Sequence, residues 1–146
     1  MNAHEIIETV RGFEGALVVA PEAGSPFPEL SWGDAYFYHA PDGRMPERTQ
    51  PYGTIITKDY PDDASSELDA PNRFRVNIHV GRERADAVVT SDPDPVQTDV
   101  FRRHPLYGSA GWVCVINPSE QTTDAVLALL REAHEAARDR SARRAR

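Results

Sequence analysis

The chain reads as an α+β domain, an antiparallel sheet with its N- and C-terminal helices packed on one face. Three observations lead there. Strand-like apolar stretches cluster in the middle, helical periodicity lies at both ends, and residues 73–80 alternate polar and apolar side chains.

Residues 4–11 place Ile6, Ile7 and Val10 at helical spacing, and Gly12 stops the pattern. Residues 16–20 (ALVVA) read as a buried strand, closed by the breaker-rich stretch 21–28. Aromatic strand formers in 29–39 predict a second strand, bent at Gly33. Pro41-Asp42-Gly43 is a turn signal, because Pro presets its φ and Gly tolerates a positive one. A β-branched strand is expected over 54–60, ended by Pro61-Asp62-Asp63. In the next strand Phe74, Val76, Ile78 and Val80 face the core, opposite Arg73, Arg75, Asn77 and His79. Residues 82–89 suit a short helix, 91–99 a loop, and 112–116 (WVCVI) a buried strand. The last helix is predicted over 120–138, with Val126, Leu129, Leu130, Ala133 and Ala137 as its apolar stripe. One domain over 1–137 and a basic tail over 138–146 account for the whole chain. The sheet face away from the helices is free to meet solvent.

Composition narrows the function classes. The net charge is −7, and residues 138–146 carry five Arg against one Asp, so the first 137 residues stand at −11. A body of that sign repels phosphates, which argues against nucleic acid except for weak contact through the tail. No apolar run reaches the ~20 residues of a membrane span, and the first residues lack a signal-peptide pattern, so a cytoplasmic protein is expected. Cys114 is the only cysteine and sits among apolar neighbours, as a buried small hydrophobe does. The histidines show no metal-ligand spacing, and neither a nucleophile elbow nor a phosphate loop is present. No metal or cofactor is therefore expected, and oligomeric state is left open between monomer and homodimer.

The segments SWGD (31–34), TKDYP (57–61), RFRVNIHVGR (73–82) and HPLYG (104–108) together resemble an actinobacterial family of unknown function, over nearly the whole chain. More distantly, the order of elements is similar to the YjbR/MmcQ-like proteins. That resemblance implies a CyaY-like, frataxin-like fold, and it implies architecture more than activity.

The residues best suited to chemistry are Arg75, Asn77 and His79, which project together at about 7 Å intervals on one strand face. Arg binds carboxylates or phosphates bidentately, Asn supplies an amide, and His moves a proton near neutral pH. In the neighbouring strand Thr57 and Asp59 would share one face, Lys58 and Tyr60 the other, so Lys58 and Asp59 join the candidate set. His104 and Tyr107, in a loop, complete it. The stripe is either a ligand groove or a solvated face with cross-strand pairs such as Arg75 with Asp59. The functional expectation is a binding module for a small anionic ligand or a protein partner. The alternative is an enzyme with His79 or His104 as general acid or base and Arg75 holding substrate charge.

Overall fold

The computed structural model describes residues 1–144, and the sheet it contains is antiparallel throughout. In chain order the elements are α1 (Ala3–Arg11), β1 (Ala16–Val19), β2 (Ala35–His39), β3 (Gly53–Ile56), β4 (Arg75–His79), α2 (Arg82–Val88), β5 (Arg102–Arg103), β6 (Trp112–Ile116) and α3 (Thr123–Arg144). The six strands lie in the order β1-β2-β3-β4-β6-β5. Among the described residues no helix is long and apolar enough to cross a membrane.

Register fixes the two faces. Ile55 pairs with Val76 and Val76 with Val115, while Gly53 pairs with Ile78 and Ile78 with Val113. These side chains share one face, where Ile6 and Val10 of α1, Ala85 of α2 and Val126, Leu129 and Leu130 of α3 complete a single apolar cluster. The expectation of both terminal helices on one face holds. Gly53 shows how closely α3 approaches, since a Cβ there would lie 3.1 Å from both Leu130 and Phe37. Buried His134 ties α3 down: Nε2 donates to the Glu14 carbonyl (2.7 Å), and Nδ1 accepts from the Tyr52 hydroxyl (3.0 Å).

Local chemistry sets the helix ends. Asn2 and Glu5 form a capping box at α1, the Asn2 side chain accepting from the Glu5 amide and Glu5 from the Asn2 amide. The turn before α3 is held from outside the helix. Asp99, at φ 56°, accepts from the amides of Ser119, Gln121 and Thr122 and from the Thr122 hydroxyl. Asp99→Ala is expected to cost about 2 kcal/mol, because it strands three amides and strains a left-handed backbone position. Asp99→Asn, which tolerates that φ and keeps an acceptor, should cost less than half as much in urea unfolding.

Three boundaries differ from the sequence expectation. The 54–60 strand stops at Ile56, and the 29–39 segment starts with a 3-10 turn over Glu29–Ser31 before β2. The last helix, expected to end at 138, runs on through the basic stretch to Arg144; residues 145 and 146 lie outside the described residues.

Candidate functional site

The sheet face opposite the helices carries Tyr36 and Tyr38 from β2, Thr54 and Ile56 from β3, Arg75, Asn77 and His79 from β4, and Trp112, Cys114 and Ile116 from β6. At its Arg75 end that face is roofed rather than open. Asp63 and Ser66, from the segment after β3, and His104, just after β5, lie against it, leaving Arg75 at 0% and Asn77 at 2% exposure.

A buried guanidinium is costly unless its donors are met. Here all but one are. Arg75 Nε donates to Asn77 Oδ1 (2.8 Å), Nη1 to Asp63 Oδ1 (3.0 Å) and Ser66 Oγ (2.9 Å), and Nη2 to Asp63 Oδ2 (2.5 Å). His104 Nε2 lies 3.2 Å from Nη2. Asn77 passes the network on, its Nδ2 donating to Thr54 Oγ1 at 2.9 Å. Arg75 therefore pairs with Asp63, not with Asp59, and keeps one Nη2 hydrogen, beside His104, without an acceptor. Burial raises the Asp63 carboxyl, but its bonds to Arg75 outweigh this and hold it below the usual range.

The roof exists because Asp34 stops β3. Its buried carboxylate accepts from the Thr57 amide, the Thr57 hydroxyl and Lys58 Nζ, each at 2.8 Å, and from the Tyr60 hydroxyl. The chain leaves the sheet at that point, so the alternation expected for Thr57, Lys58, Asp59 and Tyr60 does not form. Lys58 is an ion-pair partner of Asp34. Asp59 works inside the loop, its carboxylate accepting the Leu68 amide (2.8 Å) while its own amide donates to Asp69 (3.0 Å).

His104 enters from the other loop. Its Nδ1 accepts from the amides of Leu106 (3.1 Å) and Tyr107 (3.2 Å), which places the ring proton on Nε2, 4.0 Å from Asp63 Oδ2. The Tyr107 ring stacks on it with centroids 4.9 Å apart. Burial, and then the Arg75 charge, push the His104 imidazole down to about 4. Native His104 is thus neutral at pH 7, whereas in the unfolded chain it titrates near its ordinary value. A proton bound only by the unfolded state favours unfolding, so stability is full above about pH 6.5 and falls as pH drops toward 4, by up to roughly 3 kcal/mol. His39 and His79, lowered chiefly by burial, act in the same direction. His104→Asn keeps an acceptor for the two amides and should remove the largest share of that slope in urea unfolding between about pH 7 and 5. An unchanged slope would place the titration elsewhere.

His79 stands outside this network. Its Nε2 donates to the Ala110 carbonyl (3.2 Å), and its ring leans on Trp112. Cys114 is fully buried, and burial pushes its thiol up to about 11.

Beside the network the sheet face opens into a cleft of about 510 Å³. Tyr36, Tyr60, Tyr107 and Trp112 supply aromatic walls; Thr54, Asp63, Arg75, Asn77 and His104 supply polar lining. Of the seven residues expected from the sequence, the structure brings Arg75, Asn77, His104 and Tyr107 to this cleft. Lys58, Asp59 and His79 do not line it. Asp63, Ser66 and Thr54 were missed. They carry no periodicity, and the only available hint was that a strand arginine, if buried, requires an acid from outside its strand. Among the described residues no three His, Cys, Asp or Glu side chains gather as a metal-binding set.

A six-stranded antiparallel sheet with helices on one face and an arginine-centred polar cleft on the other defines an α+β protein with a preformed concave site. A family model described as a family of unknown function (DUF6194) matches residues 1–146, and the chain belongs to that family. No curated protein and no solved structure matches it.

Proposed function

We propose that the chain is a binding module for a small, planar, polar molecule seated in the cleft over β3, β4 and β6. The observation that carries this reading is the buried, mutually bonded set Arg75, Asp63, Asn77 and His104 beneath an aromatic-walled opening. Binding sites typically combine apolar walls with a few polar groups fixed in advance. Arg75 holds the others still rather than gripping a ligand. The groups free to reach a ligand are the second Asn77 Nδ2 hydrogen, the Thr54 hydroxyl, the His104 Nε2 proton and the Asp63 carboxylate.

That set disfavours the anionic ligand expected from the sequence and favours a neutral molecule carrying both donors and acceptors. The enzyme reading draws less support, because the His104 ring is neutral and its Nδ1 is already held by two amides. Cytoplasmic location, actinobacterial origin and distant kinship with YjbR/MmcQ-like proteins belong to the same reading. Their support is, in turn, the hydropathy pattern, the four quoted segments and the order of elements along the chain.

The test uses Trp112 as reporter. Trp32→Phe leaves Trp112 as the sole tryptophan, and a metabolite library is screened by thermal shift and then by fluorescence. A ligand at 100 times its Kd should add about 2.7 kcal/mol of stability. It should also change Trp112 emission saturably and lose about tenfold in affinity with the exposed-wall variant Tyr107→Ala. Ligands that stabilise the fold yet leave Trp112 and the Tyr107 variant unaffected would overturn the proposal.

A further inference from the structure

A second cleft, of about 500 Å³, lies between residues 65–66 and the loop 89–95, with Arg102 and Arg103 at its base. The two arginines differ. Arg103 is half exposed and pairs with Asp86. Arg102 is 7% exposed, and among the described residues no carboxylate lies within ion-pair distance of it. Its Nη2 donates to the carbonyls of Asp94 (2.5 Å) and Gln97 (3.1 Å), and its buried Nε has no partner. The Asp94 carboxylate instead accepts the Val96 amide.

The Asp94 carboxylate lies close enough to attract it without forming an ion pair, and two further guanidiniums, Arg75 and Arg73, lie close enough to repel it. Arg73 is likewise bonded only to carbonyls, those of Ser66 and Val96, and its Nε is also buried without a partner. Three arginines therefore surround this region, and among the described residues only Arg75 of the three has a carboxylate within ion-pair distance, Asp63. Asp63 in direct contact and Asp94 at longer range offset part of this charge, and among the described residues Arg102 is left without a carboxylate in contact in a cleft whose walls restrict water. Carbonyl dipoles satisfy part of the hydrogen bonding but supply no countercharge.

We propose that this second cleft is an anion site, in which Arg102 receives the phosphate or carboxylate group of a small molecule. The hydroxyl residues Ser65, Thr90 and Ser91 line the same opening and suit the remaining oxygens of such a group, while Asp92, also in the lining, restricts where an anion can sit. The site is separate from the aromatic cleft and does not depend on what that cleft binds.

The test is amide NMR of the full chain titrated with inorganic phosphate and, separately, with acetate, against chloride at matched ionic strength. Saturable shifts confined to residues 65–66, 89–95 and 102–103 are expected, with phosphate alone indicating a phosphate-bearing ligand and acetate alone a carboxylate. Arg102→Lys, which keeps the charge but loses the planar fork, should weaken binding about tenfold. Ser65→Asp changes an exposed residue, so the fold is retained while a carboxylate enters the opening, and the shifts should vanish. Tyr107→Ala, in the other cleft, should leave them unchanged. The proposal is overturned if neither anion gives saturable shifts, or if Ser65→Asp binds as tightly as the parent chain.

Discussion

Replacing Arg75 with alanine is expected to lower stability by about 3–5 kcal/mol, the loss typical of breaking a buried ion pair from one side. The side chain is fully buried and makes bonds to Asp63, Ser66 and Asn77, with His104 alongside. Its removal leaves the Asp63 carboxylate without its counterion and the Asn77 carbonyl oxygen without a donor, and it opens a void of side-chain size between the sheet and the 57–72 loop. Urea unfolding reads the change directly. A loss under about 1 kcal/mol would mean that water replaces the guanidinium and that the cluster is not sealed. The pair should also be replaceable as a unit. Arg75→Met with Asp63→Leu removes both charges, and the double variant should recover much of what either single change loses, a coupling that a double-mutant cycle measures.

Val76→Asp, one residue away, is expected to be at least as damaging, above about 4 kcal/mol, through a different cause. Val76 points to the helix-covered face, between Ile55 and Val115 and within the apolar cluster that includes Leu130. Val76 is fully buried among apolar side chains, so an introduced carboxylate either stays ionised at high cost or is driven to its protonated form. Loss of the cooperative unfolding transition at pH 7, with partial recovery at acid pH as the carboxyl protonates, is the expected signature. A variant that unfolds cooperatively with near-parental stability would reverse the assignment of faces.

These two expectations mark where local pattern stops being informative. Alternation along β4 correctly separates Val76 and Ile78 from Arg75, Asn77 and His79, because period two is a property of the strand itself. Read alone, the same alternation makes Arg75→Ala and Asn77→Ala nearly harmless, as changes on a solvated face. The structure makes both residues buried, since a face is open only if no other part of the chain covers it. The cover consists of two loops brought in by long-range contacts: Asp63 meets Arg75 across 12 residues and His104 meets it across 29.

The residues by themselves determined the α+β class, the terminal helices, the core face of β4, the WVCVI strand β6 to the residue, and the burial of Cys114. Each is encoded by spacing or composition over a short window, where one element's geometry decides which side chains share a face. Only tertiary structure decided that β3 ends at Ile56, because the terminator is the carboxylate of Asp34, 23 residues earlier in the chain than Thr57. Only tertiary structure decided that Arg75 takes Asp63 rather than Asp59, that His79 turns to Ala110, and that Arg102 is buried against the carbonyls of Asp94 and Gln97. Loops have no period from which to read contacts. Their positions follow from which buried charges and unpaired amides they satisfy, and those are known only once the sheet has assembled.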